Sequence, residues 1–350
     1  MNPVVTISGG GIIGNYISLR LDKSNIKSVI IEKSKGQNSQ KENIRTLTLN
    51  RFSKKLLDDI GIKVPFAAIK NIYVFDGDGS GKIDFSSTEI DEDDLSYVVF
   101  FNDLYDQLQN QERHQIFFDN EIEKIVIDNE TNTSEITLSS KDKINTKFIA
   151  GCDGRNSNVA KIASLNEKKS SYDQTAITFT AKCELDNVED AHQIFSEKGI
   201  FAIMPVPKNK ADSSHTIVWS VDNKNITDNN IENYISDHIV LVGDAAHSIH
   251  PFAGQGVNLG FADADALCEE IADSYERSIY IDQATTLKRY EIRRKNMNLL
   301  MLKSMDFFVN LFGSKNLYIK LLRNFGLSGV NKTQFLKKFF INHAAGKNNL

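Results

Sequence analysis

The chain has 350 residues, of which 41% are hydrophobic and 25% charged, with a formal net charge of −5. That length accommodates two domains sharing a substantial core, and the ordinary composition excludes global disorder. The mild acidity gives no electrostatic footprint for nucleic acid, and no nucleic-acid partner is expected.

In chain order, Val4-Val5-Thr6-Ile7 is a short β-branched run suited to a buried parallel strand. Gly9-Gly10-Gly11-Ile12-Ile13-Gly14 follows as G-x-G-x-x-G, and Ile13, Ile17 and Leu21 continue at helical spacing. A second apolar run, Ser28-Val29-Ile30-Ile31, ends in Glu32. Strand, glycine turn, helix, strand and acid in this order form a dinucleotide-binding pattern. Gly9, Gly11 and Gly14 would allow a tight turn and close approach to a pyrophosphate, and Glu32 would accept hydrogen bonds from ribose hydroxyls.

Residues 71–85 read as a hairpin with a glycine-rich turn. Asp91-Glu92-Asp93-Asp94 follows as an acidic loop, and residues 95–109 read as a helix. Residues 121–126 and 134–138 read as strands of a small sheet. Asp153-Gly154 by itself is an ordinary turn signal. Residues 175–183, 199–204 and 215–221 alternate as strands of a second sheet.

The longest motif begins at Leu241: Leu-Val-Gly-Asp-Ala-Ala-His-Ser-Ile-His-Pro-Phe-Ala-Gly-Gln-Gly-Val-Asn-Leu-Gly, ending at Gly260. It reads as a buried strand with Asp244 at its end, a turn at Pro251, and a glycine-rich helix start. Asp244 can accept hydrogen bonds from sugar hydroxyls. Gly254 and Gly256 let the backbone approach a flat ligand. The helix start aims free N–H groups and a positive dipole end at that ligand.

Residues 281–350 hold 13 Lys or Arg against three Asp or Glu, interleaved with apolar runs such as Asp306-Phe307-Phe308-Val309-Asn310-Leu311-Phe312. Such a segment either lies on an anionic membrane surface or caps the main domain with its charges solvated. No leader and no apolar run of membrane-span length is read. Cys152, Cys183 and Cys268 are odd in number and widely spaced, pointing to a reducing compartment. His247 and His250 are read as loop and helix-start residues, and no metal site is expected.

The 241–260 motif, with the glycine fingerprint and Gly151-Cys152-Asp153-Gly154, resembles the aromatic-ring flavin monooxygenases of the p-hydroxybenzoate hydroxylase type, and within them the ubiquinone-biosynthesis FAD-dependent hydroxylases. Leu95-Ser96-Tyr97-Val98-Val99, Thr216-Ile217-Val218-Trp219 and Leu287-Lys288-Arg289-Tyr290 extend the similarity to nearly the full chain. The resemblance implies an α/β fold: a Rossmann-like FAD domain (1–70, 95–170 and 239–280), an inserted, shortened β-sheet substrate domain (71–94 and 171–238) and a C-terminal helical region (281–350). It places Arg45 beside the flavin, Asp153 and Gly154 near the pyrophosphate, and Asp244 at the ribityl chain. Pro251, Phe252, Gly254, Gln255 and Gly256 would neighbour the flavin ring, with Val257 and Asn258 completing the helix start. It implies FAD as cofactor, NADPH or NADH as co-substrate, and O2-dependent hydroxylation of a prenylated phenol. The implied location is cytoplasmic, peripheral on the inner membrane surface, with contact to a quinone-synthesis complex.

Two departures stand out. Only 19 residues separate Trp219 from Ile239, where the family has several tens, and Phe100-Phe101 replaces a polar pair. They leave open a non-catalytic flavoprotein scaffold or, on the same framework, a prenyl reductase or epoxidase. His215 and Tyr172 are the candidate bases, each more simply read as structural.

Overall fold

The computed structural model describes residues 2–35, 45–111, 115–165, 167–171, 174–196, 199–208, 214–222, 227–247, 255–277, 282–313 and 338. Its first body is a six-stranded sheet in the order Ile235–Ser236, Ile239–Leu241, Phe148–Gly151, Val5–Ser8, Ser28–Glu32 and Ile116–Phe118. All but the Ile235–Ser236 edge pair in parallel. Val5–Ser8 is buried along its length, as a parallel strand covered on both faces requires.

The register aligns Ser8 with Ile31 and with Gly151, and Gly151 with Leu241. Four strands therefore end at one rim. The glycine turn, Glu32, Asp153 and Asp244 each follow one of those ends, and ligands of open α/β sheets bind along such a rim.

Six helices are described: α1 (Ile12–Lys23), α2 (Arg51–Asp59), α3 (Phe101–Gln109), α4 (Asn158–Ile162), α5 (Gln255–Arg277) and α6 (Gln283–Gly313). α1 packs on α5 through Tyr16 and Phe261, rings edge to face at 5.2 Å, and the Tyr16 hydroxyl donates to Asp265 Oδ1 at 3.0 Å. α6 runs antiparallel to α5. Arg289 pairs with Glu270, Arg293 with Glu269 and Arg294 with Asp263, and Leu302 packs on Leu259.

The second large sheet runs Gln174–Ala181, His215–Asp222, Gly199–Pro205, Asp190–Ser196, Asn71–Asp76, Lys82–Ser86. The expected strands and the 71–85 hairpin are present. Asp190–Ser196 was not anticipated, and it joins the hairpin to the rest by pairing in parallel with Asn71–Asp76. The expected helix over 95–109 is corrected. Ser96–Phe100 is a strand between Thr46–Asn50 and Ala67–Ile69, and α3 starts only at Phe101. Tyr97-Val98-Val99-Phe100 is β-branched and aromatic, and two waiting partner strands decide its conformation.

The sheets meet through side chains. Thr46 Oγ1 donates to Thr216 Oγ1 at 3.1 Å, and Thr48 Oγ1 lies 3.5 Å from Met204 Sδ. Alternation puts Thr216, Val218, Ala202 and Met204 on the face towards the first body. Among the described residues no helix is long and apolar enough to cross a membrane.

Candidate active site

The three fingerprint glycines have different physical reasons. Gly9 has φ +102°, and a Cβ there would lie 2.4 Å from the Cys152 carbonyl oxygen. A Cβ on Gly14 would lie 2.0 Å from the Gly9 carbonyl oxygen. A Cβ on Gly11 would meet nothing within 4 Å. The first two are demanded by the fold, whereas Gly11 borders open space. α1 starts there with no side-chain cap and no acidic residue in its first turn. Its leading N–H groups are thus available to an anion, and the cradle suits a pyrophosphate. Asn15 Nδ2 holds the turn by donating to the Gly10 and Gly11 carbonyls at 2.7 and 3.0 Å.

Glu32 faces this turn. Its Oε2 accepts from the Gly10 amide at 2.6 Å and its Oε1 from Ser34 at 2.8 Å. These bonds fix the carboxylate, and a carboxylate oxygen retains further acceptor capacity for a sugar hydroxyl. Asp153 serves its own chain first. Its Oδ2 accepts from the Asn158 and Val159 amides at 2.7 and 3.2 Å, starting α4, while among the described residues Oδ1 is buried without a partner. Gly154 has φ +79° and open space around its Cβ position.

Asp244 is exposed on the tight turn Gly243–Ala245, and its Oδ1 lies 3.9 Å from a Cβ position on Gly256. A carboxylate thus stands at the first turn of α5. Arg45 is electrostatically coupled to it: burial pushes the guanidinium below its ordinary pKa, and Asp244 opposes that shift. The Arg45 guanidinium carbon lies 4.3 Å from the centroid of Phe101, which stacks on Tyr105. Phe100 instead fills a core with Ile69, Val98, Ala191 and Val206. The two phenylalanines therefore diverge, one into the core and one under Arg45.

Asn258 is buried, and its amide bridges α5 to the neighbouring strand. Nδ2 donates to the Thr48 carbonyl and Oδ1 accepts from the Asn50 amide, both at 2.9 Å. Val257 is half-buried against the main core. Gln255 begins α5. Pro251, Phe252, Gly254 and Tyr172 lie outside the described residues. His215 is fully buried, with Nδ1 2.8 Å from Ser214 Oγ. It alternates with Thr216, on the sheet face away from the first body. That position does not suit a base acting at the rim.

Sequence reasoning missed a polar network behind the rim. Asp263 of α5 is wholly buried and contacts His247, Arg294 and Asn298. Its only sequence signal was an acid within the apolar run Phe261-Ala262-Asp263-Ala264-Asp265-Ala266.

The geometry agrees with what the chain is similar to. Residues 2–233 and 224–303 match the family model described as FAD binding domain. The 3-demethoxyubiquinol 3-hydroxylase of Escherichia coli is 25% identical, with 98% of each chain covered. The mitochondrial ubiquinone biosynthesis monooxygenase COQ6 of Dictyostelium discoideum is also 25% identical, covering 98% of this chain and 91% of that one. Among solved structures, the p-nitrophenol 4-monooxygenase PnpA of Pseudomonas putida superposes with a TM-score of 0.80 at 15% identity, covering 97% of each chain.

Proposed function

The chain belongs to the FAD binding domain family, and on that premise we propose that it is a FAD-dependent monooxygenase that hydroxylates the aromatic ring of a prenylated phenol in ubiquinone biosynthesis, using NADH or NADPH and O2. The observation that carries this reading is the rim itself. An uncapped helix start beside an open Gly11, a fixed Glu32 and an exposed Asp244 follow strand ends of the first sheet along one rim.

On this reading residues 1–70, 95–170 and 239–280 hold the cofactor, and residues 71–94 and 171–238 roof the substrate. The α1 N-terminus takes the pyrophosphate, Glu32 the adenosine ribose and Asp244 the ribityl hydroxyls. Bound FAD supplies the redox chemistry and the activation of oxygen, so no protein nucleophile is required. The start of α5 directs positive potential towards the ring end of the site, which steadies negative charge there. Arg45, held on Phe101, adds a cation next to Asp244. The roof presents Val218, Ala202 and Met204, a largely apolar surface that excludes water and accepts an aromatic ring.

The C-terminal region carries both readings on different parts. From residue 283 to 303, α6 is a cap: Leu287, Tyr290, Arg294, Asn298 and Leu302 are buried, and Lys288, Arg289, Arg293 and Lys295 pair with acids of α5 or α6. Ile292, Leu299 and Leu300 are exposed on its outer side. Peripheral membrane contact through that side and the basic residues beyond is part of the proposal, as is contact with a quinone-synthesis complex.

The test is direct. Purified protein should be yellow and should incorporate labelled oxygen into a prenylated phenol when given reduced pyridine nucleotide. Deletion of the gene should accumulate the unhydroxylated quinone precursor, identified by mass spectrometry. A colourless protein and an unchanged quinone profile would reject the reading.

A further inference from the structure

Asp263 is completely buried in α5, and each of its oxygens is used twice. Oδ1 accepts from Arg294 Nε at 2.7 Å and from Asn298 Nδ2 at 3.0 Å, both on α6. Oδ2 accepts from the Gly243 amide at 3.3 Å and lies 2.5 Å from His247 Nε2. Gly243 and His247 bracket Asp244. Arg294 is itself tied to Asn298 Oδ1 at 3.1 Å. Burial alone would raise the Asp263 carboxyl, but His247 and Arg294 overcome it and hold it well below the usual carboxylate range.

Backbone bonds also hold the turn, and the Ile231 amide donates to the Ala246 carbonyl at 3.0 Å. Gly243 is at φ +61°, and the Ala246 and His247 amides both return to the Gly243 carbonyl. Among the described residues His247 Nδ1 is buried with no partner, and the ring is oriented from the Asp263 side. The Tyr234 ring lies 5.8 Å from it and adds packing rather than a ring hydrogen bond.

We infer that Asp263 is a positioning residue for cofactor binding: it grips both ends of the Asp244 turn, and Arg294 and Asn298 hold its carboxylate in the geometry that does so. α6 thereby becomes a remote determinant of FAD affinity, although none of its described residues stands on the rim. The inference rests on the proposed contact between Asp244 and the cofactor. Support of this kind is usual where a site needs sub-ångström placement, because a ligand-contacting group is oriented by the groups packed behind it.

A double-mutant cycle on FAD dissociation constants tests it, using Asp244→Ala, Arg294→Met and the pair. Asp244→Ala should weaken binding about tenfold to a hundredfold, the loss of a charge-assisted bond. Arg294→Met should weaken it about tenfold, and the pair should be no weaker than Asp244→Ala by more than about twofold, since residues acting through one contact are not additive. The visible circular dichroism of the bound flavin should change in both single variants. Arg289→Met is the control. It loosens α6 by removing the bonds to Glu270 Oε2 and Ser274 Oγ of α5, at 2.8 and 3.0 Å, away from the Asp263 cluster, and should leave FAD affinity unchanged. If Arg294→Met does not fold, the same cycle is run with Asp263→Asn, which keeps the side-chain volume. Penalties that multiply, or a weakening by Arg289→Met equal to that by Arg294→Met, would overturn the inference and leave α6 a purely structural cap. A wild-type affinity in Asp244→Ala would instead reject the cofactor role of the turn, and the inference with it. Wild-type affinity in Arg294→Met beside a weakened Asp244→Ala would reject the inference alone.

Discussion

The guanidinium of Arg45 lies over the ring of Phe101, its central carbon 4.3 Å from the ring centroid, while the Phe101 amide donates to the Arg45 carbonyl at 2.8 Å. The two residues are therefore joined by backbone and side chain at once, where the Thr46–Asn50 strand meets α3. Phe101 supplies an aromatic face for the cation. Phe101→Leu should remove about 0.5–1 kcal/mol of cation–π attraction. FAD affinity should fall by about twofold to fivefold as Arg45 loses its orientation. Fluorescence titration of the variant against wild type measures this, and an unchanged value would detach the pair from the site.

Gly11 and Gly14 should respond differently to substitution. Gly14→Ala forces a Cβ against the Gly9 carbonyl and should lower the melting temperature of the FAD-free protein. Gly11→Val has room in the protein itself, so the FAD-free protein should melt near wild type yet fail to retain FAD. A yellow Gly11→Val protein would show that the open space in front of α1 is not the pyrophosphate seat.

Stability should decline below neutral pH. Burial, reinforced by His192, pushes the His215 pKa down, and burial pushes His238 down against the opposing effect of Asp237. The folded state then binds fewer protons than the unfolded chain, whose histidines titrate at about 6.5. The contribution is present above that pH and is lost as the pH falls through the depressed values. Melting temperatures should fall between about pH 7.5 and pH 5, and His238→Gln should flatten the fall, its side chain no longer titrating beside Ser134. An identical slope in the variant would remove His238 from the effect.

Vesicle flotation addresses the outer side of α6 and the basic residues that follow it. Each basic residue near an anionic surface contributes about 1 kcal/mol, decaying within a Debye length. The full chain should float with anionic vesicles at low salt, less at high salt, and poorly with neutral vesicles. Replacing Ile292, Leu299 and Leu300 by Ser should weaken flotation, because these side chains are exposed and contribute little to the core. Protein left wholly unbound at low salt would end the membrane proposal.

The sequence by itself determined the features whose cause is local. Gly14 has no room for a side chain within its own turn, Gly9 takes a positive φ there, Val5-Thr6-Ile7 is β-branched and extended, and Asp244 ends a buried strand before a glycine-rich helix. Hydrophobic period and glycine placement were enough to announce the dinucleotide-binding half and most strands of the second sheet. What only the tertiary structure decided depends on partners remote in the chain. Ser96–Phe100 is a strand because Thr46–Asn50 and Ala67–Ile69 flank it, and Asp190–Ser196 is one because it lies between Asn71–Asp76 and Gly199–Pro205. Likewise, Asn258 is committed to the Thr48 and Asn50 backbone, and Asp263 to α6. A buried polar group must find its acceptor or donor wherever the fold brings one, and spacing along the chain does not encode that choice.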